Sequence, residues 1–451
     1  MSKYELYSRT VIPWLDTIPA HWNECRAKYL YKKENRPALE TDEVVTCFRD
    51  GQVTLRKNRR TSGFTESIKE VGYQHIQQGD LVIHVMDAFA GAVGVSDSDG
   101  KGTPVYSVCT AIQDINNHYF AYVLREMAKN GFIQSLYRGI RERSSDFRFD
   151  VFAAQILPIP PREEQDQIVR YLDWQTSKIN KLINAKKQMI SLLNEKKQAT
   201  ITSIVTHGLE QDIERIDSGI DYIGQIPSHW KVLLNHRIYK EKSRKFVDDE
   251  TVLSLSQKDG LLPYENMKER SLHTASYDNW KLVFPNDLVL NRFKAHLGVF
   301  FSSNYRGIVT FHYGVFEPVM EIVSKYYEAL YHTAEFKRIF ASKSNGMTVG
   351  LQNLSNANFY SVYTLYPPYE EQCQIVCRIE EVEEKYRKLI CRINKEIECL
   401  HEYRVRLISD VVTGQIDVRR IEVPEFESVE ETIENIDTED GHETIEWGDM
   451  K

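Results

Sequence analysis

The sequence predicts an α+β protein in which two mixed α/β heads are separated by two long helices pairing as an antiparallel coiled coil, with an internal pseudo-twofold repeat. Three observations predict this. The stretch PPREEQDQIVRYLDWQTSKINKLINAKKQMISLLNEKKQATITSIVTHGL (residues 160–209) returns as PPYEEQCQIVCRIEEVEEKYRKLICRINKEIECLHEYRVRLISDVVTGQI (residues 367–416). A signature of the form I-P-x-H-W precedes each copy, in VIPWLDTIPAHWN (residues 11–23) and IDYIGQIPSHWK (residues 220–231). Between signature and helix, apolar runs recur in step: GDLVIHVMDAFAGAVGVS (residues 79–96) answers NDLVLNRFKAHLGVFFSS (residues 286–303). The division that follows is a first head at 1–159, a first long helix at 160–209, a second head at 210–366, a second long helix at 367–416 and a tail at 417–451.

In chain order, the start MSKYELYSRTVIPWLD carries charges where a signal peptide carries an apolar run, and nowhere do eighteen apolar residues follow one another. A soluble, cytoplasmic protein with no membrane partner is expected. At 451 residues and 42% hydrophobic content the chain can bury two or three cores. The I-P-x-H-W signature offers one histidine beside a tryptophan, with no second ligand or nucleophile, and reads as a packed opening segment. Each strand region then leads to a short helix, HYFAYVLREMAKNGF (residues 118–132) and KYYEALYHTAEFKRIF (residues 325–340), and to a polar loop. The loops, YRGIRERSSDFRF (residues 137–149) and SKSNGMTVGLQNLSNANF (residues 342–359), align on Gly139 and Gly346 and differ elsewhere. The frame repeats while its polar decoration does not, as suits two heads that recognise different things.

Each long helix opens on paired prolines and Glu-Glu, because proline needs no amide partner in the first turn and acids there favour the helix dipole. In the second copy Ile375, Ile379, Val382, Tyr386, Leu389, Ile393, Leu400 and Leu407 keep a heptad rhythm. The first answers with Ile168, Leu172, Ile179, Leu182, Met189 and Leu193, interrupted by Gln175 and Lys186 at seam positions. Roughly 45 helical residues make a rod of about 65 Å.

The net charge of −8 is uneven: residues 421–451 hold twelve acids and one lysine, −11, which leaves +3 for residues 1–420. So acidic and aromatic-poor an end reads as a disordered solubilising tail, with a subunit-docking peptide as the sharper alternative. The seven cysteines, four of them opposite Asp166, Arg170, Asn184 and Leu192 of the other repeat, read as reduced thiols.

Catalytic constellations do not survive comparison of the two copies. YPPYEEQ (residues 366–372) is similar to the loop that holds the target amine in amino-methyltransferases, but Tyr366 stands where the amide or carboxylate belongs and the other copy reads IPPREEQ. No G-x-G-x-x-G follows a strand, SDSDGKGT (residues 96–103) reads as a hairpin turn, and no His or Cys pair has metal-ligand spacing. No catalytic residue, cofactor or metal is expected. What remains is basic: LRKNRR (residues 55–60) with Arg56, Lys57, Arg59 and Arg60; the first polar loop with Arg138, Arg141, Arg143 and Arg148; NRFKAH (residues 291–296) with Asn291, Arg292 and Lys294; and the second loop with Lys343 and Asn345. Guanidiniums, ammoniums and amides of this kind contact phosphates and base edges, and their presence in both heads points to double-stranded DNA.

On these motifs, I-P-x-H-W opening each half, D-L-V-(I/L) in each head and P-P-x-E-E-Q opening each long helix, the chain resembles the specificity (HsdS) subunit of Type I restriction-modification systems over nearly everything before the tail. The resemblance implies two target-recognition domains reading a bipartite, asymmetric DNA target. It further implies that the paired helices act as spacer and as dock for two methyltransferase (modification) subunits, that a restriction/translocase subunit completes the complex, and that all catalysis lies in the partners. A departure is Asp16, where the second half has Gly224. The alternative from another class is an architectural coiled-coil protein with two protein-binding heads.

Overall fold

The structure is a computed structural model that describes residues 2–59, 72–136, 146–210, 212–244, 250–257, 260–267, 279–345 and 353–432. It divides into two compact units, residues 1–186 with 395–451 and residues 187–394. Each unit contains one head, one end of the first long helix, Arg162–His207, and the opposite end of the second, Tyr369–Val412.

In the first unit a four-stranded antiparallel sheet runs in the order Tyr31–Lys33, Tyr106–Ala111, Leu81–His84, Val93–Val95. Leu81, Val82 and Ile83 are consecutive and all fully buried, so both faces of this strand are covered and the run is unbroken rather than alternating. One small core gathers Val82, Val108 and Tyr106 with the hairpin Val45–Cys47/Val53–Leu55. The helix Asn117–Lys129, capped by the Asn116 side chain, buries Tyr119, Phe120, Val123, Leu124 and Met127 and packs on the strand Val93–Val95. Residues 100–102 pair with Gln74–Ile76 rather than with Val93–Val95, so SDSDGKGT is a connection and not a hairpin turn.

The second unit repeats the plan: Tyr239–Glu241, Tyr313–Pro318, Leu288–Asn291, Phe300–Ser302. Its single expected helix is two, Ser324–Tyr331 and Ala334–Lys343, because Thr333 leaves helical geometry and caps the second through Phe336 N. Phe300, Phe316, Phe340 and Phe359 form its centre, with ring centroids 4.5 Å apart for Phe300–Phe340 and for Phe316–Phe359.

The long helices run antiparallel within each unit. In the first unit Arg404 Nη1 donates to Asn180 at 2.6 Å and Lys186 meets Glu396 at 2.5 Å; in the second, Ile201 and Val205 share a core with Ile375, Ile379 and Val382. Lys186 is therefore a seam residue with its own carboxylate. Leu182, Met189 and Leu389, read as seam positions, are exposed, whereas Ile183 and Ile397 are buried. A straight helix of 3.6 residues per turn drifts off a strict heptad, and the buried position moves by one residue.

The expected disordered tail follows a defined course to residue 432. Gln167 Nε2 donates to the carbonyls of Val418 (3.0 Å) and Ile421 (2.6 Å), Ser177 Oγ to that of Glu427 (2.9 Å), Asn180 to that of Val429 (2.9 Å) and Asn184 to that of Glu430 (2.9 Å). Val429 N and Thr432 N donate back to Ser177 and Asn184, and Arg404 pairs with Glu431 at 2.9 Å. Composition argues against a self-sufficient core in such a segment, but a row of amide side chains on a ready-made helix satisfies its main chain without one.

Candidate nucleic-acid interface

The repeated motifs meet. Glu164, in the first turn of the first long helix, accepts from Tyr4 Oη (2.6 Å) and Trp22 Nε1 (3.0 Å), and its other oxygen lies 2.8 Å from His21 Nε2. Glu371 of the second copy accepts from Trp230 Nε1 (2.9 Å), with His229 Nε2 at 2.7 Å. The neighbouring glutamines bridge too. Gln165 donates to the Pro160 carbonyl and accepts from Asn116 N; Gln372 donates to that of Pro367 and accepts from Val323 N. Gly208 and Gly414 end the long helices with φ of 79° and 74°, a left-handed cap that favours glycine. A Cβ on Gly414 would lie 2.5 Å from Pro19, and one on Gly208 would lie 3.0 Å from Glu371 and 3.3 Å from Trp230. The I-P-x-H-W histidine is thus a clamp on a carboxylate. Burial and Glu164 push the Tyr4 hydroxyl far above its ordinary value, so it remains a donor.

On this frame the basic residues occupy non-equivalent places. In the first head Arg56 and Lys57 lie in the short turn Arg56–Asn58 after the strand Val53–Leu55. Lys57 is exposed beside Glu43, and Arg56 Nε reaches Thr46 Oγ1 at 3.4 Å. Arg59 folds back on its own hairpin, 4.3 Å over the Phe48 ring and 2.7 Å from Asp50. Arg148 is exposed, 2.6 Å from Asp146. Arg60, Arg138, Arg141 and Arg143 lie outside the described residues. In the second head Asn291 caps the following turn through Phe293 N (3.1 Å), and Arg292 reaches Glu241 at 2.7 Å. Lys294 is exposed on the turn Arg292–Leu297, and Lys343 and Asn345 are exposed at the end of the helix Ala334–Lys343.

Several of these groups come together. Asn345 and Asn353 exchange main-chain hydrogen bonds, and the next residue, Leu354, donates to the Arg292 carbonyl at 3.0 Å, which sets Lys343–Asn345 beside Asn291–Lys294. The first head has the counterpart: Phe147 N donates to the Val85 carbonyl at 3.2 Å and sets Arg148 beside residues 84–87. Those residues are His-Val-Met-Asp where the second head has Asn-Arg-Phe-Lys. Asp87 takes Arg49 at 3.0 Å, and burial holds His84 below its ordinary value. Arg49, two-thirds exposed on the turn of the hairpin, was missed in the sequence; its signal is R-D-G between two strand-like runs.

Glu241 is squeezed from two sides. Burial pushes its carboxyl up, but Arg292, Asn356 and Lys281 outweigh this and hold it below the usual range. Arg292 is thus part of a charge cluster inside the head, and Lys294 is the more available cation. Among the described residues no group of His, Cys, Asp or Glu could hold a metal ion, and no helix is long and apolar enough to cross a membrane.

Residues 237–399 match the family described as Type I restriction modification DNA specificity domain. A chain in a solved structure described as the structural basis underlying complex assembly and conformational transition of the type I R-M system is similar at a TM-score of 0.62. Its identity is 12%, and the likeness covers 88% of this chain and 99% of that one. The crystal structure of the HsdS subunit from Thermoanaerobacter tengcongensis is similar at 14% identity and a TM-score of 0.49, covering 88% of this chain and 98% of its own. No curated protein matches the chain in sequence. The family match covers residues 237–399 of this chain, and the likeness to the first of these solved structures shows a shared fold.

Proposed function

We propose that the chain selects the DNA sequence on which a Type I restriction-modification complex acts. Each head reads one half of a bipartite, asymmetric double-stranded target, and the paired long helices set the interval and dock two methyltransferase subunits and a restriction subunit. Methyl transfer and cleavage lie in those partners, and the chain carries no cofactor of its own. The observation that carries this reading is the specificity domain at residues 237–399 on a frame whose clamp repeats while its polar edges differ. A protein that must hold two readers in fixed relation, each for a different sequence, needs a shared frame and unshared side chains. In the second head Lys294, Lys343 and Asn345 present donors suited to phosphates and base edges; in the first Lys57, Arg148 and Arg49 do so. The soluble, DNA-bound life of such a complex is cytoplasmic.

The test is methylome mapping in cells that carry the chain with its modification subunit. A single split motif with two unlike halves is expected, and exchange of residues 237–366 for those of a relative should change one half only. Methylation that ignores the exchange would overturn the reading.

A further inference from the structure

The strap formed by residues 418–432 does more than tie down a terminus. Its main chain is read by one face of the first long helix, through Gln167, Ser177, Asn180 and Asn184, so its placement rests on its main chain as well as on its acids. Yet it holds Glu422, Glu425, Glu427, Glu430 and Glu431. Of these Glu431 is taken by Arg404, while the Glu430 carboxylate accepts from Gln52 Nε2 at 2.8 Å. Gln52 sits on the hairpin turn of the first head that also carries Arg49, with Arg59 folded against it. The nineteen residues that continue the chain from that point carry seven more acids and one lysine.

We propose that the tail is a built-in competitor for DNA: the amide row on the helix holds an acidic strand against the recognition hairpin of the first head, and duplex DNA must displace its charge to engage that head. This rests on the reading of the heads as DNA-binding. Electrostatics give the sign. A polyanion held within a Debye length of a cationic edge lowers the potential felt by phosphates there, whereas the same charge on a released tether is spread and screened. The strap belongs to the unit that holds the first head, and the competition is proposed for that head.

The experiment compares three full-length or near-full-length proteins with their normal partners omitted: the parent, a chain ending at Ile421, which lacks the acids of the strap, and the triple variant Ser177→Ala/Asn180→Ala/Asn184→Ala. The triple variant has the parent's net charge, and alanine on a helix surface favours the helix. The probe is a 30-base-pair duplex of arbitrary sequence, followed by fluorescence anisotropy across a salt series. Both variants should bind it roughly fivefold tighter than the parent at about 50 mM salt, converging with it near 0.5 M. Tighter binding by the truncated chain alone would mean that net charge and not placement acts, and would overturn the proposal. Equal binding by all three would overturn it while leaving the DNA reading intact. If none binds the duplex, the DNA reading itself fails and the competitor with it.

Discussion

Replacing Glu164 by alanine should damage the first unit more than replacing Glu371 damages the second, although the two glutamates occupy the same place in the repeat. Glu164 serves Tyr4 and Trp22, each 5% exposed, and His21, whose side chain is 38% exposed. A hydrogen bond to a charged acceptor is worth about 1.5–3 kcal/mol, and a buried donor left without a partner loses its share in full. His21 can turn to water, so two orphaned donors remain and the cost is about 3–6 kcal/mol. Glu371 serves one buried donor, Trp230 at 3% exposure, and a half-exposed His229, so Glu371→Ala should cost about 1.5–3 kcal/mol. Glu164→Gln keeps the shape and one acceptor oxygen and should fall between. Hydrogen exchange through a urea series, followed for residues 17–26 and 225–234, reports each unit separately. A Glu371→Ala loss equal to or larger than that of Glu164→Ala, or a Glu164→Ala loss under about 1 kcal/mol, would refute the account of the clamp.

Lys294→Ala should weaken recognition of one half-site by about 1–3 kcal/mol with unchanged thermal unfolding, whereas Arg292→Ala should also lower the melting temperature because it strips Glu241 of a partner; equal melting curves would refute the distinction. Because the folded pKa of Glu241 lies below its unfolded value, its contribution is present above the unfolded value and is lost as pH falls through the folded one. Acid should therefore loosen residues 239–241 and 292–297, as read by hydrogen exchange, and Arg292→Ala should weaken that dependence, Asn356 and Lys281 remaining. Four residues inserted after Lys197 lengthen the helix by about 6 Å and turn it only about 40° out of phase, so the methylated motif should keep both half-sites and gain one or two base pairs between them; an unchanged gap with altered half-sites would refute the proposal that the long helices set the interval. The purified chain alone should neither methylate nor cut DNA, and incorporation of labelled methyl groups without a partner would sink that assignment.

Much of the frame was legible because periodicity is local. The heptads of the second helix, the D-L-V strands and the P-P-x-E-E-Q starts each show within a dozen residues. The clamp was not, since His21 and Glu164 are 143 positions apart and nothing near either names the other. One signal was present: the separation from tryptophan to the second glutamate is 142 in one half and 141 in the other, as a contact between motifs requires. The first long helix is interrupted at its seam by Gln175 and Lys186, and its other polar residues have a separate cause. Ser177, Asn180 and Asn184 are polar because that helix has a second neighbour, the strap, which composition had assigned to disorder. Among the basic residues, charge was visible and commitment was not: Arg59 lies on Phe48 and Arg292 on Glu241, and only packing tells a tethered cation from an available one.

The Asp417 amide donates to the Ser2 carbonyl, and Tyr7 Oη donates to that of Gly414. The first unit is therefore assembled from two separated stretches, residues 1–186 and 395–451, while the second is one contiguous stretch. Synthesis runs from one end only. The contiguous unit has all its residues once position 394 has cleared the ribosome, but the amino-terminal head must wait for Glu164's clamp to be roofed by Gly414. Closing so long a loop is slow, and until then the head made first is the one finished last. A nascent chain stalled or clipped before residue 414 would carry one complete head and one open one.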